Sequence, residues 1–339
     1  MNDASNAPAA LIRVPPAAPS FIYDTYWRFA AERQRIFVQR LEGCLPPWTD
    51  DPVLARYKFT NAYRASDRTS QYLIRQVIYR DDLPASWEEV FFRTILFKLF
   101  NRIETWQLFE EALGAITYVD YRFGHYDAIL ANALRSGRRI YSAAYLMPPG
   151  DGAVGQGSKH RNHLRLLERM LADDLPRKLA DARTMQTGFD LLRAYPSIGD
   201  FLAYQLITDV NYSEITNFSE MEFTVPGPGA LRGIRKCFLD LGGRTGAEII
   251  RLMADRQYEE FARLGLEFHD LWGRPLQLID CQSLFCEVDK YARVAHPEVS
   301  SLSGRTRIKQ RFVPSETRMQ YWYPPKWGIN ATLEAAQRL

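Results

Sequence analysis

Five residues between positions 61 and 75 fall at intervals that a helix would bring onto one face. Asn61, Arg64, Arg68, Gln71 and Arg75 stand at i, i+3, i+7, i+10 and i+14, a stripe roughly 80° wide on an ideal helix. Three guanidiniums and two amides so aligned would grip phosphate, because each guanidinium offers a planar pair of donors. The competing reading is a solvated outer face. A second set, Gly227, Gly229 and Gly233 with Arg232, Arg235 and Lys236, stands at the mouth of a helix. Glycine lets backbone approach a bulky anion, and a helix N-terminus adds partial positive charge; an ordinary Pro/Gly turn has the same composition. Glu220 and Glu222 precede this set as available acid/base groups. In a third set, Asp280 and Glu287 share a helical face and Glu287 can pair with Lys290 at i+3. A carboxylate and an ammonium beside an aromatic ring can hold an amino-acid zwitterion, though a surface salt bridge is the commoner arrangement.

Other chemistries lack their residues. The chain has no GxxxxGK[ST] phosphate loop, no GxSxG nucleophile elbow and no HExxH pair. Its five histidines are scattered and its four cysteines, Cys44, Cys237, Cys281 and Cys286, form no CxxC unit. No metal, cofactor or disulfide framework is therefore expected, and a reducing compartment is. No apolar run approaches the roughly 18 residues of a membrane span, and the start lacks a secretory pattern, so a cytoplasmic protein is expected. Net charge is +3, which permits a nucleic-acid partner without demanding one.

The elements that must position these residues read as helices. Helical periodicity runs through 20–43, 53–80, Trp87 to Leu113, His160 to Ala182, the segment after Gly199, 246–265 and 276–294. Asp50 or Asp51 is placed to cap the second, with Pro52 in its first turn. The 46% hydrophobic content supports a sizeable core. The expected fold is all-α, two helical lobes with a cleft. A flexible Ala/Pro-rich segment over 1–19 precedes a helical domain over 20–300, with a lobe boundary near the Gly-rich loop 148–158. A basic, aromatic extension over 301–339 follows.

The turn YPSIG at 195–199, opening into a helix, resembles the hairpin of helix-hairpin-helix DNA-binding proteins, with Gly199 making the turn tight. The blocks KFTNAYRASDRTSQYLIR, FFRTILFKLFNRIETW, YPSIGDFLAYQLITDVNYS, FTVPGPGALRGIRK and LFCEVDKYAR, in this order, resemble the family of 5-hydroxymethyl-deoxyuridine DNA kinase helical domains. That family is grouped with the α-glutamyl/putrescinyl thymine pyrophosphorylases. The resemblance spans roughly residues 20–295 and implies ancestry shared with helix-hairpin-helix DNA glycosylases. It also implies a role in phage thymine hypermodification, in the cytoplasm of an infected bacterium. There a 5-pyrophosphoryloxymethyl-uracil in DNA exchanges its pyrophosphate for a free amino acid (glycine-type) or polyamine, and the kinase that makes the pyrophosphate is a separate module.

On that implication the base is flipped into a pocket, with Tyr204 or Tyr212 to stack on it. The leaving pyrophosphate meets the Arg64/Arg68 stripe and the Gly227–Gly233 mouth. Asp209, Glu222 or Glu287 serves as the base that keeps the amine neutral. The glycosylase-like aspartate would fall near Ser219, Glu220, Met221 and Glu222, and Phe201 stands about where bifunctional glycosylases carry lysine. Excision through a Schiff base is therefore disfavoured. The rival readings are a monofunctional glycosylase on a modified pyrimidine and a non-catalytic DNA-binding subunit serving a 5-hmdU DNA kinase.

Overall fold

A computed structural model describes residues 15–143, 157–299, 306–314 and 319–337. Most of the 148–158 loop lies outside them. Fourteen α-helices and one two-stranded sheet account for the regular structure of the described residues, so the fold is all-α.

Helix α4 (Trp87–Phe100) is the clearest case of sequence dictating position. Every residue from Glu89 to Phe100 is buried, as an apolar run with no polar face requires. Ser86 caps its N-terminus by accepting from the Glu89 amide. Asn101, at φ 48°, ends it in the left-handed conformation that asparagine tolerates. The apolar pattern from Trp87 to Leu113 is consequently two helices, α4 and α5 (Ile103–Leu113). Asp174, at φ 54°, likewise separates α7 (Lys159–Ala172) from α8 (Leu175–Ala180), where one helix was expected. Helix α4 packs against α7, α8 and α10 (Asp200–Val210), and α10 packs along α9 (Met185–Arg193).

The other layer is built on α13 (Leu278–Ala295), which lies against α1 (Ile22–Leu41), α11 (Pro228–Cys237) and α12 (Gly246–Arg263). Its contact with α11 is the most extensive in the fold, and glycine makes it possible. A Cβ on Gly233 would lie 2.0 Å from the Phe285 carbonyl oxygen, and one on Gly229 2.8 Å from Cys286 Sγ. These glycines let two helices touch, which is a packing role and not the anion cradle their spacing suggested. One hydrophobic cluster runs from Ile22 to Leu333 through both layers.

Part of the N-terminal segment expected to be flexible is paired: Ala18–Pro19 (β1) runs antiparallel to Phe238–Asp240 (β2). Asp51 caps α2 (Pro52–Arg56), accepting from the Val53 and Leu54 amides, as its place before Pro52 predicts. The long helix expected over 53–80 is absent. After α2 the chain is extended to a 3-10 turn at Arg64–Ser66, then a short α3 (Arg68–Tyr72) continues as π-helical turns over Leu73–Ile78. The C-terminal extension returns across this loop. Tyr57 bridges Arg311, and Pro325–Trp327 form a 3-10 turn before α14 (Asn330–Gln337).

Candidate functional site

The extended loop before Arg64 is held by side chains, which is why it is not a helix. Asn61 donates to the Ser66 carbonyl and accepts from Arg33, while its own amide donates to Asp67. Glu287 accepts from the Thr60 amide at 2.9 Å, and Lys290 closes on Glu287 at 2.7 Å. Asp280 accepts from the Arg64 amide at 2.8 Å and from the Gln277 amide at 3.0 Å. The expected stripe is thereby dismantled. Arg64 and Gln71 are buried, Arg68 is exposed, and Arg75 donates to the Gln320 carbonyl. Gln71 ties the Ala65 carbonyl to the Trp322 amide.

This loop delivers Arg64 into the interior, where it is 3% exposed. Its Nη1 lies 2.9 Å from Asp209 Oδ1 and donates to the Tyr212 hydroxyl at 2.8 Å; Nε donates to Gln205 Oε1 at 3.2 Å. Lys98 Nζ meets the other Asp209 oxygen at 3.1 Å and donates to Asn101 at 2.7 Å. Asp209 is fully buried between two cations, the compensation that a carboxylate there needs. Burial holds the Lys98 ammonium below its ordinary pKa although Asp209 opposes the shift. Burial also raises the Tyr212 hydroxyl well above its ordinary value and lifts the Asp280 carboxyl from 3.8 to about 7 against its two amide donors.

Tyr212 joins this buried cluster to a second one, in which Trp272, Arg274, Lys326 and Trp327 are half-exposed and Glu220 and Tyr323 buried. Its ring meets Trp327 edge-on at 5.9 Å. Arg274 lies 3.8 Å over the Trp327 ring and pairs with Glu220 at 2.8 Å. Tyr323 stacks on Trp327 at 5.8 Å, and Trp272 stands 6.3 Å from Tyr323. Lys326 donates to the Ser213 and Thr216 carbonyls, both at 2.6 Å, and burial lowers its pKa to about 8. Trp272 has φ 52° and Gly273 φ 92°, inside a two-residue turn closed by reciprocal Leu271–Arg274 backbone bonds. Such a turn favours Asn-Gly; a tryptophan there costs conformational energy, and its half-exposed ring stands 6.3 Å from that of Tyr323.

The remaining sequence candidates fall elsewhere. Tyr204 and Tyr212 are each 1% exposed, so neither offers a face for stacking in this conformation. The left-handed residue of the 195–199 turn is Ser197, at φ 67°, and Gly199 is an extended N-cap for α10. A Cβ on Gly227 would meet the Phe201 ring. Lys236 and Arg232 pair with the buried Asp289 at 3.0 and 3.2 Å, and Arg293 joins them. Burial would raise the Asp289 carboxyl, but these cations hold it below its ordinary value. Glu222 is exposed, and its carbonyl accepts from Arg251. Sequence reasoning missed Lys98, Gln205, Arg274, Trp272 and Trp327. Lys98 had a legible signal: a lysine within ILFKLF, on a helix with no polar face, must find a buried anion.

Residues 20–301 match the family model described as 5-hmdU DNA kinase, helical domain. A 5-hmdU DNA kinase of Bacillus phage SP10 is 28% identical over 298 residues, covering 83% of this chain and 46% of the relative. The chain thus spans about half the length of that curated relative. No solved structure matches it. The buried cluster, Glu220, Trp272 and Arg274 lie within the matched residues, whereas Tyr323, Lys326 and Trp327 lie beyond them.

Proposed function

The chain belongs to the 5-hmdU DNA kinase helical-domain family, and on that premise we propose that it acts on 5-hydroxymethyluracil-derived bases in DNA, exchanging the pyrophosphate of a 5-pyrophosphoryloxymethyl-uracil for an amine. The amine is a free amino acid or polyamine, and the setting is phage thymine hypermodification in a bacterial host. The 339 residues hold no GxxxxGK[ST] phosphate loop, so we assign to them the exchange, with a 5-hmdU DNA kinase activity supplying the pyrophosphate.

The observation that carries the reading is the grouping of Arg274, paired with Glu220 at 2.8 Å and lying 3.8 Å over the Trp327 ring, with the half-exposed Trp272 and Lys326 nearby, over the buried Arg64–Asp209–Lys98 cluster. A flipped base would stack on Trp272, the strained ring. The amine nitrogen attacks the base's exocyclic methylene carbon. The C–O bond to pyrophosphate breaks with its electron pair on the leaving oxygen, and Glu220 takes the proton released by the new C–N bond. Arg274 and Lys326 neutralise the pyrophosphate as it departs. Of the carboxylates considered, Asp209 and Glu287 are held by cations and an amide and Glu222 is exposed, whereas Glu220, itself buried and paired with Arg274, is the one beside the aromatic cluster. Phe201 where bifunctional glycosylases carry lysine argues against excision through a Schiff base, while a monofunctional glycosylase stays a rival that the test below separates.

The burial of Arg64 against Asp209, Gln205 and Tyr212 favours one second reading, a DNA-binding module whose polar core is structural. Nucleoside mass spectrometry separates the readings. DNA carrying 5-pyrophosphoryloxymethyl-uracil, incubated with the protein and a mixture of amino acids and polyamines, yields an aminomethyl-uracil adduct if exchange occurs. Free modified base means a glycosylase, and unchanged DNA means a binding module.

A further inference from the structure

The C-terminal extension does more than cover the aromatic cluster. Where it crosses the loop after α2, the Tyr57–Arg311 bridge is framed by two backbone bonds, Lys58 amide to Gln310 carbonyl at 3.1 Å and Phe312 amide to Arg56 carbonyl at 3.1 Å. Two segments some 250 residues apart in sequence thus bring Arg56, Lys58, Arg307, Lys309 and Arg311 together, and all five are exposed. None of the five is in an ion pair among the described residues. Elsewhere on the surface, arginines such as Arg80, Arg161 and Arg263 are matched by carboxylates.

The ridge is built and not frayed. Arg56 and Arg311 both lie over the Tyr57 ring, at 5.5 and 5.4 Å. Ile308 is buried, and Phe312 meets Trp48 edge-on at 6.4 Å. Arg307, Lys309 and Arg311 alternate with the buried Ile308 and with Gln310, the spacing that puts side chains on one side of an extended segment about 6.6 Å apart. That is close to two rises of about 3.4 Å along a DNA strand. The ridge also leads into the candidate site: Lys58 and Arg64 are six residues apart, so at most about 20 Å of chain separates them.

Resting on the reading that DNA is the substrate, we infer that this ridge binds the DNA sugar-phosphate backbone and holds the duplex beside the loop that carries Arg64. Most of its cations belong to a segment outside the family match, so the ridge is a feature of this chain's own extension.

The test is the salt dependence of binding to unmodified duplex DNA, measured by fluorescence anisotropy from 50 to 300 mM salt. The triple variant Lys58→Gln/Lys309→Gln/Arg311→Gln is compared with Arg135→Gln/Arg138→Gln/Arg139→Gln, which removes the same charge from an exposed surface elsewhere. Each lost phosphate contact lowers the slope of log K against log salt by about 0.9. The ridge variant is expected to lose about 2.7 and the control almost nothing. Thermal melts confirm that both variants fold. Equal slopes in the two variants, or an unchanged slope in the ridge variant, overturn the ridge while leaving the DNA reading intact. Failure of the unmutated chain to bind DNA, or binding transferred to anionic vesicles, overturns both.

Discussion

Arg64 Nη1 stands 2.9 Å from Asp209 Oδ1, with neither side chain more than 3% exposed. The arginine arrives on a loop, the aspartate on α10, and Lys98 from α4 sets a second cation 3.1 Å from the same carboxylate. Asp209→Ala would leave two buried cations facing one another. A destabilisation of about 3–5 kcal/mol is expected, read as a lower urea midpoint with an unchanged m-value. A stable Asp209→Ala protein that has lost only amine transfer would instead make Asp209 the base.

Glu220→Gln separates chemistry from architecture. The amide keeps a hydrogen-bonding group beside Arg274 but cannot accept the proton of an attacking amine. Pyrophosphate release from modified DNA is expected to fall by about 10²–10⁴-fold, with DNA affinity within roughly threefold of the unmutated protein. An unaltered rate would remove Glu220 from the mechanism.

How much of this was readable beforehand depends on where the deciding interactions lie. The spans of α1, α12 and α13 were legible because their periodicity is local. The loop before Arg64 was not, because what holds it is distant: Glu287 and Asp280 lie more than 200 positions away and capture amides that a helix would otherwise use. Tertiary partners of this strength override a helical propensity of a few tenths of a kcal/mol per residue. The glycines of α11 were visible but misassigned, since composition does not say whether a bare backbone faces an anion or another helix. The basic residues of α11 were half legible for the same reason. Lys236 and Arg232 were found, but their partner Asp289 sits on a helix whose packing only the fold reveals.

Gly233→Ala tests that reassignment. Its new Cβ would sit 2.0 Å from the Phe285 carbonyl oxygen, a backbone atom that no rotamer change can move. A stability loss of about 3 kcal/mol is expected from the forced separation of α11 and α13. Pyrophosphate affinity of the folded fraction should stay unchanged, measured by calorimetry below the melting transition. Lost affinity without lost stability would restore the anion cradle.

Trp272→Asn trades a strained stacking ring for a residue at ease in the left-handed region. Relief of about 1–2 kcal/mol of backbone strain offsets the lost packing, so stability should move by no more than about 1 kcal/mol. Affinity for the modified base over unmodified DNA is expected to fall by about tenfold, within the 1–3 kcal/mol that a base–aromatic stack supplies. Retained discrimination would show that Trp272 does not meet the base.

Two carboxyls, the half-buried Asp67 and the buried Asp280, set the expected pH response. Burial raises Asp67 and Asp280 from 3.8 to about 7 each, so between about pH 4 and 7 the native protein holds protons that the unfolded chain has released. Stability therefore falls as pH rises through that window, opposite in sign to a carboxylate held low by a cation. For these two groups the native state is favoured most below about pH 4 and least above about pH 7. The urea midpoint should drop between about pH 4 and 7 after correction for the other titrating groups. In Asp67→Asn/Asp280→Asn that drop should flatten, because an amide has no proton to release. A double variant with the same slope as the unmutated protein would place the titration elsewhere. Because Asp280 accepts the Arg64 amide, its ionisation also bears on the loop that delivers Arg64, and hydrogen exchange at residues 60–66 should change over the same pH range.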